Sequence, residues 1–132
     1  MEGGQTNEFR PLILVAEDDD SNFKLIKAII GKKCDIQWAK NGEEIVALFK
    51  EYGKEAKAIL MDIKMPVMNG LDATKIIREE NKEIPIIMQT AYAFSSDKEN
   101  AMNAGASEVL VKPITLGVLR GTLSKYLPDL QW

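Results

Sequence analysis

The sequence predicts a single α/β domain built on a doubly wound, five-stranded parallel sheet. Two observations point there: five short β-rich runs alternate with segments of helical apolar spacing, and the runs are apolar almost throughout. Alternation at this spacing needs crossover connections, which are right-handed and put helices on both faces of the sheet. Apolar strands agree, because a strand covered on both faces has no polar side to show. The length, 132 residues, suits one domain and is short for two.

The first run, Leu12–Ala16, leads into a helix in which Phe23, Ile26 and Ile30 share a face. A second strand, Asp35–Ala39, precedes a helix marked by Ile45, Leu48 and Tyr52. The third strand is expected over 58–61, followed by a helix carrying Ala73, Ile76 and Ile77, and the fourth over 84–90. Residues 95–104 begin with cap-type residues but offer only Ala101, Met102 and Ala104 to a core, so the helix there should be weakly held. The fifth strand, Glu108–Val111, precedes a last helix with the stripe Leu116, Leu119, Leu123 and Leu127, which Pro128 stops. Residues 1–10 are expected to form a flexible lead-in, 11–128 the folded domain and 129–132 a short tail.

Composition narrows the chemistry. The chain has no histidine. This excludes Ser-His-Asp and Cys-His catalysis, histidine-ligated zinc and a role as phosphohistidine donor. Its single cysteine, Cys34, excludes an internal disulfide and a Cys-cluster metal site, and reads as a small core residue. The net charge of −3 is spread evenly, with 10 basic and 12 acidic groups in residues 1–66 and 7 and 8 in the rest, so there is no basic footprint for nucleic acid. Apolar runs fall far short of the roughly 18 residues a membrane span needs, and MEGGQTNEFR lacks the basic and apolar regions of a signal peptide. A cytoplasmic location without membrane insertion is expected.

In an open α/β sheet, ligands bind beyond the carboxyl ends of the strands. After the first strand come Glu17, Asp18, Asp19 and Asp20, where a dinucleotide fold needs a Gly-rich turn and a flavodoxin a hydroxyl-rich phosphate loop. Four carboxylates would repel a bare phosphate, so both nucleotide readings fall. Taken alone, this run also fits a solvated loop in which Asp20 or Ser21 caps the next helix. The third strand ends at Asp62. If the first and third strands are neighbours, as in the order 2-1-3-4-5, these carboxylates converge. Two of them about 4 Å apart cost on the order of 4 kcal/mol at an effective dielectric near 20, which demands a cation. An all-oxygen donor set favours magnesium, with calcium or manganese behind it. Thr90, followed by the small Ala91, closes the fourth strand, and Lys112 with Pro113 closes the fifth. A cis bond before Pro113 would aim the lysine inward. Carboxylates, hydroxyl and lysine on one edge make a phosphoryl-transfer kit: cation and lysine neutralise charge while a carboxylate attacks.

In these residues, Glu17 and Asp18, Asp62 ahead of MPVMNG, Thr90 with Ala91, and Lys112 with Pro113, the chain closely resembles the receiver domain of response regulators over roughly residues 12–127. The resemblance implies the flavodoxin-like, three-layer receiver fold with strand order 2-1-3-4-5. It further implies that Asp62 accepts a phosphoryl group from a phosphohistidine on a sensor histidine kinase or histidine phosphotransfer protein. Asp18 and Asp62 would bind Mg2+ directly, Glu17 through water, and the main-chain carbonyl of Lys64 would complete the protein ligands. Thr90 would hydrogen-bond the new phosphoryl group and Lys112 would pair with it. The chain would catalyse only its own phosphotransfer and dephosphorylation, and a weak homodimer is left open. EDDDSNFKLI, with Asn22 four residues after Asp18, and NGLDATKIIRE are similar to receivers fused in hybrid histidine kinases. Val109 departs from the family pattern: many receivers carry Tyr or Phe three residues before the lysine, with Tyr92 and Phe94 here as substitutes of lesser weight than packing roles. Two rivals remain. A phosphohydrolase with an aspartyl nucleophile generally has a second Asp two residues on, where this chain has Lys64. A receiver-like module that is never phosphorylated usually lacks acidic or lysine positions, all present here.

Overall fold

Side chains alternate along a strand, and in the first strand, β1 (Leu12–Ala16), that alternation divides the core in two. Ile13 and Val15 pack on one face with Ile26, Ile29, Leu119 and Leu123, whereas Leu14 and Ala16 pack on the other with Ile45, Phe49, Ala73 and Ile77. The computed structural model describes residues 9–92 and 96–132. Its remaining strands are β2 (Asp35–Ala39), β3 (Ala56–Asp62), β4 (Ile86–Thr90) and β5 (Glu108–Val111), all parallel in the order β2-β1-β3-β4-β5. The helices are α1 (Asp20–Ile30), α2 (Gly42–Tyr52), α3 (Gly70–Glu80), α4 (Asp97–Ala104) and α5 (Leu116–Tyr126). Residues of α1 and α5 line the first core, and those of α2, α3 and α4 the second. Cys34 is buried among the first set.

Boundaries shift from expectation for identifiable reasons. β3 begins at Ala56 because that residue pairs with Leu12, ahead of a register irregularity between Leu12 and Ile13. β4 begins at Ile86 because Pro85 has no N–H to donate and contributes only its carbonyl, to the Ile59 amide. In α4 only Ala101 and Ala104 are buried; Met102 faces outward, and Ser95 lies outside the described residues. Leu116 likewise is exposed rather than part of the α5 stripe, since it opens the first turn and the buried Ile114 fills the core ahead of it. The cap of α1 is neither Asp20 nor Ser21 but Asp19, whose carboxylate accepts from the Ser21 amide at 3.0 Å. At the ends of the fold, Arg10 donates to the carbonyls of Gly31, Lys32 and Cys34, and Leu130 is buried beside α5.

The loop between β3 and α3 holds one unfavourable backbone conformation. Val67 has φ 69°, in the left-handed region, and is 72% exposed. The neighbouring Met68 amide donates to the Pro66 carbonyl at 2.8 Å, closing a three-residue turn. A β-branched residue there costs roughly 1–3 kcal/mol, against the 0.5–1 kcal/mol of added chain entropy that glycine brings. Val67→Gly should therefore stabilise the chain by about 1 kcal/mol in urea unfolding; a loss of stability would mean the turn is not under strain.

Candidate functional site

The strand order brings Glu17, just after β1, beside Asp62 at the end of β3. Both are buried, Glu17 completely. With the exposed Asp18 they form a cluster whose nearest carboxylate oxygens all lie within 4.8 Å of one another. Lys112, from the far edge of the sheet, reaches both buried members: its Nζ donates to Asp62 Oδ2 at 3.0 Å and to Glu17 Oε1 at 3.4 Å. The Lys112–Pro113 bond is cis. These residues line a cleft of about 270 Å³, together with Asp19, Asn22, Lys64, Gln89, Thr90, Ala91 and Tyr92. Glu17, Asp18, Asp62, Thr90 and Lys112, singled out from the sequence, thus meet at one cleft, whereas Asp20 lies in α1 and pairs with Lys40.

Local structure holds the acidic residues in place. The Glu17 amide donates to the Ala39 carbonyl at 2.9 Å, and the Asp19 amide donates to Glu17 Oε2 at 3.2 Å. On the other side, Gly70 opens α3 against the main chain of Asp62, where a Cβ would overlap the Asp62 carbonyl oxygen. Asn69 caps that helix by accepting from the Asp72 amide at 2.9 Å. Lys64 packs its ammonium 4.8 Å from the centroid of the Tyr92 ring at the mouth of the cleft. Tyr92 is 54% exposed, Val109 packs against the core on the α3 and α4 side, and Phe94 lies outside the described residues.

Electrostatics favour a cation. Burial and the neighbouring Asp62 charge push the Glu17 carboxyl up to about 7, although Lys112 and the Asp19 amide act in the opposite direction. Burial alone would lower the Lys112 pKa, but its hydrogen bond and charge attraction to Asp62, reinforced by Glu17, raise it above the ordinary value. One ammonium facing three carboxylates leaves an excess of negative charge in an all-oxygen site. That donor set fits a hard divalent ion such as magnesium.

Two contacts had no signature in the sequence. Thr90 donates to Asp97 Oδ2 at 2.7 Å, fastening the end of β4 to the first turn of α4, and its oxygen accepts from the Tyr92 amide at 3.1 Å. The Trp38 indole N–H donates to the Glu17 carbonyl at 2.7 Å. Gln89 is a third omission; it is buried, and only its place one residue before Thr90 hinted at the cleft.

Residues 13–124 match the family model described as the response regulator receiver domain. The chain belongs to this family. It is 38% identical over 129 residues to hybrid signal transduction histidine kinase I of Dictyostelium discoideum, covering 89% of this chain but only 7% of that protein. Among solved structures, the receiver domain of sensor histidine kinase PA1611 from Pseudomonas aeruginosa, with a magnesium ion coordinated in its active site cleft, superposes with a TM-score of 0.84 at 30% identity. The match covers 91% of this chain and 99% of that one. The receiver domain of the response regulator Ssk1, co-crystallised with the histidine phosphotransfer signaling protein Ypd1 from Saccharomyces cerevisiae, gives a TM-score of 0.81 at 28% identity, covering 89% and 88%. The chain is therefore a receiver domain of two-component signalling with the CheY-like fold. No helix among the described residues is long and apolar enough to cross a membrane.

The raised Glu17 value has a consequence for stability. The folded chain holds this proton more tightly than the unfolded one does, so Glu17 favours folding most when protonated. Its contribution falls as pH rises from the ordinary carboxyl range through about 7. In metal-free buffer, the wild type should lose stability between pH 5 and pH 8 more steeply than Glu17→Gln does, by at most about 1.4 kcal/mol per pH unit for one proton. Parallel pH profiles in urea unfolding would contradict this.

Proposed function

We propose that Asp62 is the phosphoacceptor of this receiver and takes its phosphoryl group from a phosphohistidine on a sensor histidine kinase or histidine phosphotransfer protein. The observation that carries the reading is the convergence of Glu17, Asp18 and Asp62 in one cleft, with the Lys112 ammonium bonded to the two buried members. Asp62 sits at the carboxyl end of a central strand, held by β1 on one side and β4 on the other, with its carboxylate open to the cleft. An Asp62 oxygen attacks phosphorus as the P–N bond of the donor breaks. The bonding pair returns to the imidazole nitrogen, which takes a proton, and the product is an acyl phosphate on Asp62. No general base is required, because the nucleophile is a carboxylate.

Asp18 and Asp62 would hold Mg2+ directly, Glu17 through water, and the main-chain carbonyl of Lys64 would complete the protein's share. Bound there, the ion supplies positive charge to the oxygens of the transferring group. Lys112 would supply the second charge, exchanging part of its hold on Asp62 for the phosphoryl oxygens. Thr90 would turn its hydroxyl from Asp97 to the phosphoryl group. That exchange gives the signal a path, since Asp97 belongs to α4, a helix of eight residues with only two alanines buried. The Ypd1 complex of the related Ssk1 receiver supports a phosphotransfer partner, and the hybrid kinase relative supports a kinase origin. A cytoplasmic location follows from such partners.

Incubation with acetyl phosphate and magnesium should add a single group of about 80 Da to the intact mass, absent in Asp62→Asn. An adduct that persists in the variant would overturn the assignment. The same assay separates the acidic neighbours. Asp18→Ala should lose phosphorylation, while Asp19→Ala should keep it and lose about 1 kcal/mol of stability with the α1 cap. Equal loss of phosphorylation from both would mean that the cluster acts as a diffuse field and not as a site.

A further inference from the structure

Trp38 stands next to last in β2, an edge strand, yet it reaches the main chain of the acidic loop. Its indole N–H donates to the main-chain carbonyl of Glu17 at 2.7 Å, and the amide of Glu17 donates to the carbonyl of the adjacent Ala39 at 2.9 Å. Glu17 is thereby fastened to β2 through both its N–H and its C=O. That C=O belongs to the planar peptide joining Glu17 to Asp18, so fixing it fixes the plane from which Asp18 departs. The indole is itself held. Phe23 of α1 stacks on it with centroids 3.9 Å apart and planes inclined by 1°, and the Lys40 ammonium lies 4.7 Å from the ring centroid while pairing with Asp20 at 3.6 Å. One side chain therefore ties β2, the acidic loop and α1 together.

We propose that Trp38 is a positioning residue for the cation site, acting through the main chain of Glu17 to aim the carboxylates of Glu17 and Asp18. The inference rests on the magnesium reading above. Mutual repulsion among three carboxylates pushes the loop after β1 to open, and the indole bond opposes that movement. Phenylalanine could fill the same stacked position but has no donor. Groups that orient metal ligands typically contribute about 10–100-fold to affinity, and a bond to a ligand residue's main chain belongs at the lower end of that range.

Trp38→Phe keeps an aromatic ring against Phe23 and removes the N–H together with part of the indole. In isothermal titration calorimetry its magnesium dissociation constant should rise about tenfold, and its phosphorylation rate at saturating magnesium should stay within about twofold of wild type. The Asp18 amide resonance should move in the metal-free variant. Phe23→Leu, which loosens the stack but leaves the donor, should lower the melting temperature and weaken magnesium binding clearly less than Trp38→Phe does. In the unmodified protein, the Trp38 indole resonance should shift as magnesium is added and that of Trp132 should not. The inference is overturned if Trp38→Phe binds magnesium like wild type, if Phe23→Leu weakens binding equally, or if the Trp38 indole resonance stays still. A wild-type protein that binds no magnesium would instead overturn the reading of the acidic cluster, and this inference with it.

Discussion

Three crowded carboxylates, two of them bonded to one ammonium, are the constraint around which this molecule is organised. Glu17, Asp18 and Asp62 would repel one another apart in a flexible chain, and here two of them are buried. The sheet makes the arrangement possible because β1 and β3 are hydrogen-bonded neighbours over their full common length, with apolar side chains on both faces. Burial of that apolar surface, at roughly 25 cal/mol per Å², offsets the electrostatic cost of the site at its edge. Lys112 compensates part of the charge from the opposite side, and the remaining negative charge suits the cleft to a divalent ion.

The same arrangement explains why the acidic loop is so firmly tied and the β4 end less so. Glu17 is held by Ala39, Trp38, Lys112 and the Asp19 amide, and Asp62 by the close approach of Gly70. Thr90 is held through its hydroxyl to Asp97, on a helix that contributes two small side chains to the core. A firmly tied cleft beside a sparsely packed helix suits the proposed function, in which the chemistry stays fixed while the surface changes. Val109 fits this division, since a β-branched side chain packed into the core has no ring to rotate.

Most of the fold is legible in the sequence because it follows from periodicity. β1, β2 and β5 fall on their expected residues, since uninterrupted apolar or β-rich runs mark them. β3 and β4 differ by two residues at their starts, where the determinants are a pairing partner and a missing proline N–H that hydrophobicity does not encode. Leu116 and Met102 show the same limit: an apolar residue at helical spacing is not buried when its turn projects past the core. At the site, each charged strand-end residue could be found because strand ends share one edge. Trp38 and Asp97 could not, because their contacts cross 21 and 7 residues of chain and depend on side-chain direction in three dimensions.

Thermal and urea unfolding of wild type and Asp62→Asn, each with and without magnesium, tests the organising claim most directly. If carboxylate crowding dominates the site, metal-free Asp62→Asn should be more stable than metal-free wild type despite losing its ion pair with Lys112. Magnesium at 100 times its dissociation constant should stabilise wild type by about 2.7 kcal/mol and the variant far less. A metal-free variant less stable than wild type, or one that gains as much from magnesium, would contradict the account.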